Sequence, residues 1–79
     1  MEDLVLKAKN GDSEAKQELF DLVYSDLYKI AISILRNSAN AEDIVQDTCL
    51  TALECFHTLK NNSSFKPWIT KILKNKCYT

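Results

Sequence analysis

The 79-residue sequence contains one glycine, one proline, one histidine and one tryptophan. A chain with Gly11 as its sole glycine cannot form a glycine-rich phosphate loop. The scarcity of glycine and proline, with 46% hydrophobic and 27% charged residues, is typical of a small soluble domain rich in helix. No repeat or low-complexity tract is present. We therefore expect one all-α domain over residues 1–79, whose modest core leaves it marginally stable alone and makes a partner or a downstream segment unsurprising.

The three cysteines are an odd number without paired spacing, so the sequence does not predict a disulfide framework. Together with His57 they are the chain's soft-metal ligands. On one helix Cys49 and Cys55 would point about 240° apart, and Cys55 and His57 about 200° apart. Such side chains cannot converge on one ion. We expect buried thiols, no zinc site and no cofactor.

Catalysis by a nucleophile needs a cysteine or serine beside a base. His57 is predicted on the polar face of its helix, whereas Cys49 and Cys55 are predicted to face the core. Asp43 and Asp47 lie one turn apart, but such pairs occur on any acidic helix. The sequence therefore does not predict an enzyme.

The first ten residues, MEDLVLKAKN, lack the basic and apolar regions of a secretion signal. No run approaches the roughly 18 apolar residues of a membrane span. We expect a cytoplasmic protein without a membrane span.

The net charge of −1 hides a strong asymmetry along the chain. Residues 1–59 hold eleven acidic and five basic side chains, whereas residues 60–79 hold five lysines and no acid. This split favours an acidic surface for a basic protein and a basic end for a polyanion. The alternative is that these charges are merely solvated.

Four helices are predicted. The first covers Asp3–Lys9 and stops at Asn10-Gly11. The second, capped by Asp12 or Ser13, reaches about Arg36, with a kink or a break allowed at Ser25-Asp26. Polar connections at 37–40 and 60–63 are short enough for antiparallel neighbours. The core positions of the second helix are predicted to be Leu19, Val23, Leu27, Ile30 or Ala31, and Ile34.

The third helix, Ala41–Leu59, is the element around which the chain is organised. Asn40 is its predicted N-cap, with Asp43 completing a short capping box. One stripe is predicted to be core: Ala41, Val45, Thr48, Ala52, Phe56 and Leu59. The opposite face is polar except for Leu50, and an apolar residue ringed by acids is typical of a docking surface.

The last helix is predicted from Phe65 towards Tyr78, with Ser63 or Ser64 as its cap and Pro67 in its first turn. Its buried side is Phe65, Ile69, Ile72 and Leu73. Trp68 and Asn75 lie at the boundary beside Lys71. These residues can stack on and hydrogen-bond an unpaired base, although Trp68 can equally close the edge of the core.

The second half of the chain, AEDIVQDTCLTALECFHTLKNNSSFKPWITKILKNKC, resembles region two of bacterial RNA polymerase sigma factors of the extracytoplasmic-function (ECF) type. Motifs that carry the resemblance are 41–48, Leu50, Ser64-Phe65, Trp68, Ile69, Ile72 and Asn75. The first half contributes 9–12 and 27–31. Each motif alone is weak, but their order and spacing are specific.

The resemblance implies an all-α transcription initiation domain with two partners. One is the coiled-coil clamp of the largest polymerase subunit, which the third helix would contact through Asp43, Gln46, Asp47, Leu50 and Glu54. The other is the unpaired non-template strand of the minus-ten promoter element, with one base flipped into a pocket. Residues expected to bind it are Lys60, Asn61, Asn62, Ser63, Ser64, Lys66, Trp68, Lys71, Lys74 and Asn75.

Family members usually continue into a second, helix-turn-helix domain, so we expect this chain to be a truncated region two. An anti-sigma factor is a further candidate partner. The alternative hypothesis is a helical module that binds polymerase or an anti-sigma factor without contacting DNA. This alternative assigns no function to the lysine-rich residues 60–78.

Overall fold

The computed structural model describes all 79 residues as four α-helices and two short 3₁₀ turns, without a β-strand. The bounds are α1 Glu2–Lys9, α2 Ser13–Leu35, α3 Ser38–Glu54 and α4 Phe65–Cys77, with 3₁₀ turns at Phe56–Thr58 and Asn62–Ser64. The all-α prediction is confirmed.

Helix α2 is the scaffold of the bundle. Its 23 residues correspond to roughly 34 Å of helix, close to the 35 Å long dimension of the molecule. It packs against α1, α3 and α4. The Asp12 carboxylate caps it by accepting from the backbone N–H of Ala15 at 3.0 Å. The helix is unbroken at Ser25-Asp26, because Val23 and Leu27 keep their core spacing across that point.

The turn between α1 and α2 depends on Gly11, whose φ of +94° lies in the region that favours glycine. This confirms the predicted stop after Lys9. At the other end of α2, Arg36 adopts the left-handed conformation with φ 55°. The chain reverses there, and α3 begins two residues later.

The predicted N-cap of α3 is wrong. Asn37, not Asn40, is the cap, and its side-chain oxygen accepts from the backbone N–H of Asn40 at 3.0 Å. Asn40 and Asp43 therefore do not form a capping box. Both asparagines suit a cap, and the early reversal at Arg36 selects the first.

The cap assignment can be tested by alanine substitution. Asn37→Ala should lower the free energy of unfolding by about 1 kcal/mol, because it removes the acceptor of an otherwise free helix N–H. Asn40→Ala, at an exposed site in the first turn, is the matched control and should change it by less than about 0.5 kcal/mol. Urea unfolding measures both. An equal loss in the two variants would contradict the assignment.

Helix α3 ends at Glu54 and not at Leu59 as predicted. The chain tightens into the Phe56–Thr58 turn, where the Thr58 hydroxyl donates to the carbonyl of Cys55 at 2.6 Å. Phe56 and Leu59 nevertheless remain buried. All six residues of the predicted stripe are therefore in the core, because a 3₁₀ turn also places residues i and i+3 on one side.

Helix α4 starts at Phe65 as predicted, with Pro67 in its first turn. Ser64, one of the two predicted caps, is the N-cap residue of α4, but its side chain accepts no hydrogen bond from the helix. Instead the Asn61 side chain accepts from the backbone N–H of Ser63 at 3.0 Å and closes the turn that precedes the helix.

Four aromatic rings, contributed by α2, α4 and the 3₁₀ turn after α3, pack together in one cluster. Phe65 is 1% exposed, and its ring centroid lies 6.0 Å from those of Phe20 and Phe56 and 6.1 Å from that of Trp68. Trp68 also stacks on Phe56, with centroids 6.0 Å apart and planes inclined by 10°. This cluster fixes where the segment after α3 turns back into α4.

Candidate functional site

The outer face of α3 carries the residues predicted to bind polymerase. Leu50 has 61% of its surface exposed, although it belongs to a helix whose apolar stripe is completely buried. Around it lie exposed polar side chains, namely Asp43, Gln46, Asp47 and Glu54. The structure thus brings the predicted set together on one face.

Leu53 and a groove extend this face towards α2, and sequence reasoning missed both. Leu53 is 39% exposed and follows Leu50 by three positions, a spacing that could have revealed it. The groove holds about 490 Å³, and five of its ten lining residues are apolar: Phe20, Tyr24, Cys49, Leu50 and Leu53. Burial raises the pKa values of the Tyr24 phenol and the Cys49 thiol.

The other flank of α3 faces α4. Here the Lys76 ammonium donates to the Asp47 carboxylate at 2.9 Å. Asp47 is thus already paired within the domain, unlike its neighbours on the face around Leu50. Any partner that binds Asp47 has to compete with Lys76.

The segment Lys60–Ser64, predicted to contact DNA, is held by hydrogen bonds of its own side chains. The Asn61 side-chain oxygen accepts from both the backbone N–H and the hydroxyl of Ser63. The Asn62 side-chain oxygen accepts from the Lys9 ammonium at 3.0 Å. An open depression of about 580 Å³ lies between this segment and α1; Glu2, Asp3, Leu6, Lys60, Asn61, Asn62 and Ser63 line it.

Three of the predicted DNA-binding residues share one face of α4. Trp68, Lys71 and Asn75 follow each other at spacings of three and four, which places them in one row on a helix. Lys71 and Asn75 are exposed, and Trp68 is half-buried against Phe56. Lys74 is exposed beside this row.

Lys66 does not join that row. It lies about 160° around the helix from Trp68 and donates to the Asp26 carboxylate of α2 at 2.5 Å. The Lys66 hydrogen bond, reinforced by its charge, lowers the pKa of Asp26. Of the five C-terminal lysines, Lys66 and Lys76 are therefore paired within the domain.

No group of three or more histidine, cysteine, aspartate or glutamate side chains is arranged to hold a metal ion. The three cysteines are free and half-buried, and burial raises the pKa of the Cys77 thiol as it does that of Cys49. No helix is both long and apolar enough to cross a membrane.

The sequence is similar to one family model and to several curated sigma factors. The family model described as "Sigma-70 region 2" matches residues 19–79. The ECF RNA polymerase sigma factor SigX of Bacillus subtilis is 29% identical over 62 residues, which are 78% of this chain and 32% of SigX. SigW, an ECF sigma factor of the same organism, is 27% identical over 71 residues, 90% of this chain and 38% of SigW. RNA polymerase sigma factor SigV, also of B. subtilis, is 40% identical over 48 residues, 61% of this chain and 29% of SigV.

The chain spans about a third of the length of these curated relatives. No solved structure matches it. The matched residues include α3, the Lys60–Ser64 segment and α4, together with most of α2. The chain therefore belongs to the sigma-70 region 2 family, a non-enzymatic family of transcription initiation domains.

Proposed function

We propose that this domain binds the core RNA polymerase through the face of α3 around Leu50, and helps to melt and read the minus-ten promoter element through residues 60–64 and α4. The observation that carries the proposal is the 61% exposure of Leu50. A leucine at the centre of an acidic and amide-bearing face has no role in the domain's own core. It is the kind of residue that a partner helix covers.

The chemistry of the α3 face suits a basic coiled coil. Asp43 and Glu54 offer carboxylates to arginines, Gln46 offers both a donor and an acceptor that can fix the register, and Leu50 supplies a small desolvated centre. Charge complementarity of this kind mainly accelerates encounter and selects the partner.

The proposed DNA-binding residues act through base stacking, phosphate contacts and hydrogen bonds to base edges. The Trp68 indole stacks on Phe56 through one face, and because it is only half-buried, part of the ring can still contact an unpaired base. Lys71 and Lys74 are exposed and can bind phosphates. Asn75 adds an amide that can distinguish base edges. Capture of unpaired bases then stabilises the melted state without nucleotide hydrolysis.

A second candidate function is a module that binds polymerase or an anti-sigma factor without contacting DNA. The ion pairs of Lys66 with Asp26 and of Lys76 with Asp47 favour it, because they neutralise two of the five C-terminal lysines. Fluorescence anisotropy of a labelled single-stranded minus-ten oligonucleotide, with and without core polymerase, separates the two. Sequence-dependent binding in the ternary complex supports our proposal. Clamp binding with no such signal supports the alternative.

Asn75 and Lys71 should differ in what they contribute to DNA binding. Asn75→Ala should reduce discrimination among minus-ten sequences more than overall affinity, because an amide reads base edges. Lys71→Ala should weaken binding to all sequences alike and lower the salt slope by about 0.7. Lys29→Ala, on α2, is the charge-matched control. Anisotropy titrations at several salt concentrations measure these effects, and equal behaviour of the two variants would contradict the division of roles.

A further inference from the structure

Lys9 is the last residue of α1 and forms the longest-range side-chain hydrogen bonds in the molecule. Its ammonium donates to the backbone carbonyl of Leu59 and to the side-chain oxygen of Asn62, which lie 50 and 53 positions away in the chain. Lys9 is half-buried. It therefore spans the segment that leads from α3 to the loop proposed to read DNA.

The chemistry of an ammonium fixes how Asn62 is oriented. An ammonium has three donors and no acceptor, so only the Asn62 oxygen can face it, and the NH₂ group must point elsewhere. Asn62 lines the open depression between the loop and α1. At the neighbouring position, the Asn61 oxygen is occupied by the amide and hydroxyl of Ser63. Both asparagines consequently have their oxygens engaged by the protein and their N–H donors free.

We propose that Lys9 is a positioning residue for this loop: it holds Asn62 so that its amide donors are presented to acceptor atoms on an unpaired base. This inference rests on the function proposed above. It assigns Lys9 no phosphate contact, because its ammonium is turned towards two protein carbonyl groups. It also gives α1, which lies outside the matched family model, a part in sequence selection.

The test compares Lys9→Met, which keeps the length of the side chain but removes its donors, with Lys7→Met, an exposed lysine on the same helix. With the domain bound to core polymerase, Lys9→Met should lower discrimination among single-base variants of the minus-ten strand by about 5- to 100-fold. Asn62→Ala should cause the same loss. The double variant should lose no more than either single one, because both changes break one interaction. Lys9→Arg should restore part of the discrimination, and Lys7→Met should leave it unchanged.

Two results would overturn the proposal. One is a uniform loss of affinity for all sequences with a smaller salt slope, which indicates a phosphate contact. The other is unchanged discrimination in Lys9→Met. The side-chain amide signals of Asn62 in a ¹⁵N–¹H spectrum of the free domain give a readout without DNA and should shift in Lys9→Met but not in Lys7→Met. If those signals shift while the wild-type domain shows no sequence-dependent binding, the loop is held as inferred and the proposed function fails.

Discussion

Substituting Leu50→Asp together with Gln46→Ala should abolish binding to the polymerase clamp, with an affinity loss of at least about 30-fold. Leu50 lies at the centre of the proposed docking face, and an aspartate there adds a charge that the partner would have to desolvate. These two residues are better targets than Asp47, because Asp47 is already paired with Lys76. Binding to an isolated clamp fragment, measured by calorimetry, gives the affinity.

The far-ultraviolet circular dichroism of this variant should equal that of the wild type, since both side chains are exposed. Leu6→Asp is the matched control, because Leu6 is 50% exposed on α1, outside the α3 face. It should bind the clamp with wild-type affinity. Retained binding in the double variant, or an equal loss in Leu6→Asp, would mean that the docking face is misplaced.

The largest effect on stability is expected from Phe65→Ala. Phe65 is 1% exposed and contacts the aromatic rings contributed by α2, α4 and the turn after α3. Its removal should lower the free energy of unfolding by about 3–5 kcal/mol. That is a large part of the roughly 5–15 kcal/mol that is typical of the free energy of unfolding of a domain. The urea midpoint should therefore fall steeply, and a large fraction of the molecules should be unfolded at physiological temperature.

Leu22→Ala provides the comparison for this loss. Leu22 is 57% exposed on α2, so its truncation should change stability by no more than about 0.5 kcal/mol. A loss in Phe65→Ala close to that small value would show that the aromatic cluster does not support the fold.

The helices could be predicted from the sequence because apolar residues repeat in it at three- and four-residue spacing. That spacing identified the buried stripe of α3 and the outward position of Leu50. It did not identify the ends of α3. Asparagine is a good cap at position 37 as well as at position 40, so residue type alone does not separate Asn37 from the predicted Asn40. At the far end, the 3₁₀ turn buries Phe56 as an α-helix would.

The candidate site was predictable only in part, for a different reason. Local spacing places Trp68, Lys71 and Asn75 in one row, but it cannot say which lysines are free. The Lys66–Asp26 and Lys76–Asp47 pairs join residues 40 and 29 positions apart, and the partners of Lys9 are more distant still. Such contacts exist only after the helices have assembled, so no local pattern contains them.

The stacking of Trp68 on Phe56 has a practical consequence. Trp68 is the sole indole of the chain, and it is half-buried in the aromatic cluster while bordering the row with Lys71 and Asn75. Its intrinsic emission therefore reports two events without a label: a red shift when urea exposes the ring, and quenching when a nucleobase stacks on it. The chain carries its own spectroscopic probe at the boundary between its core and its proposed DNA surface.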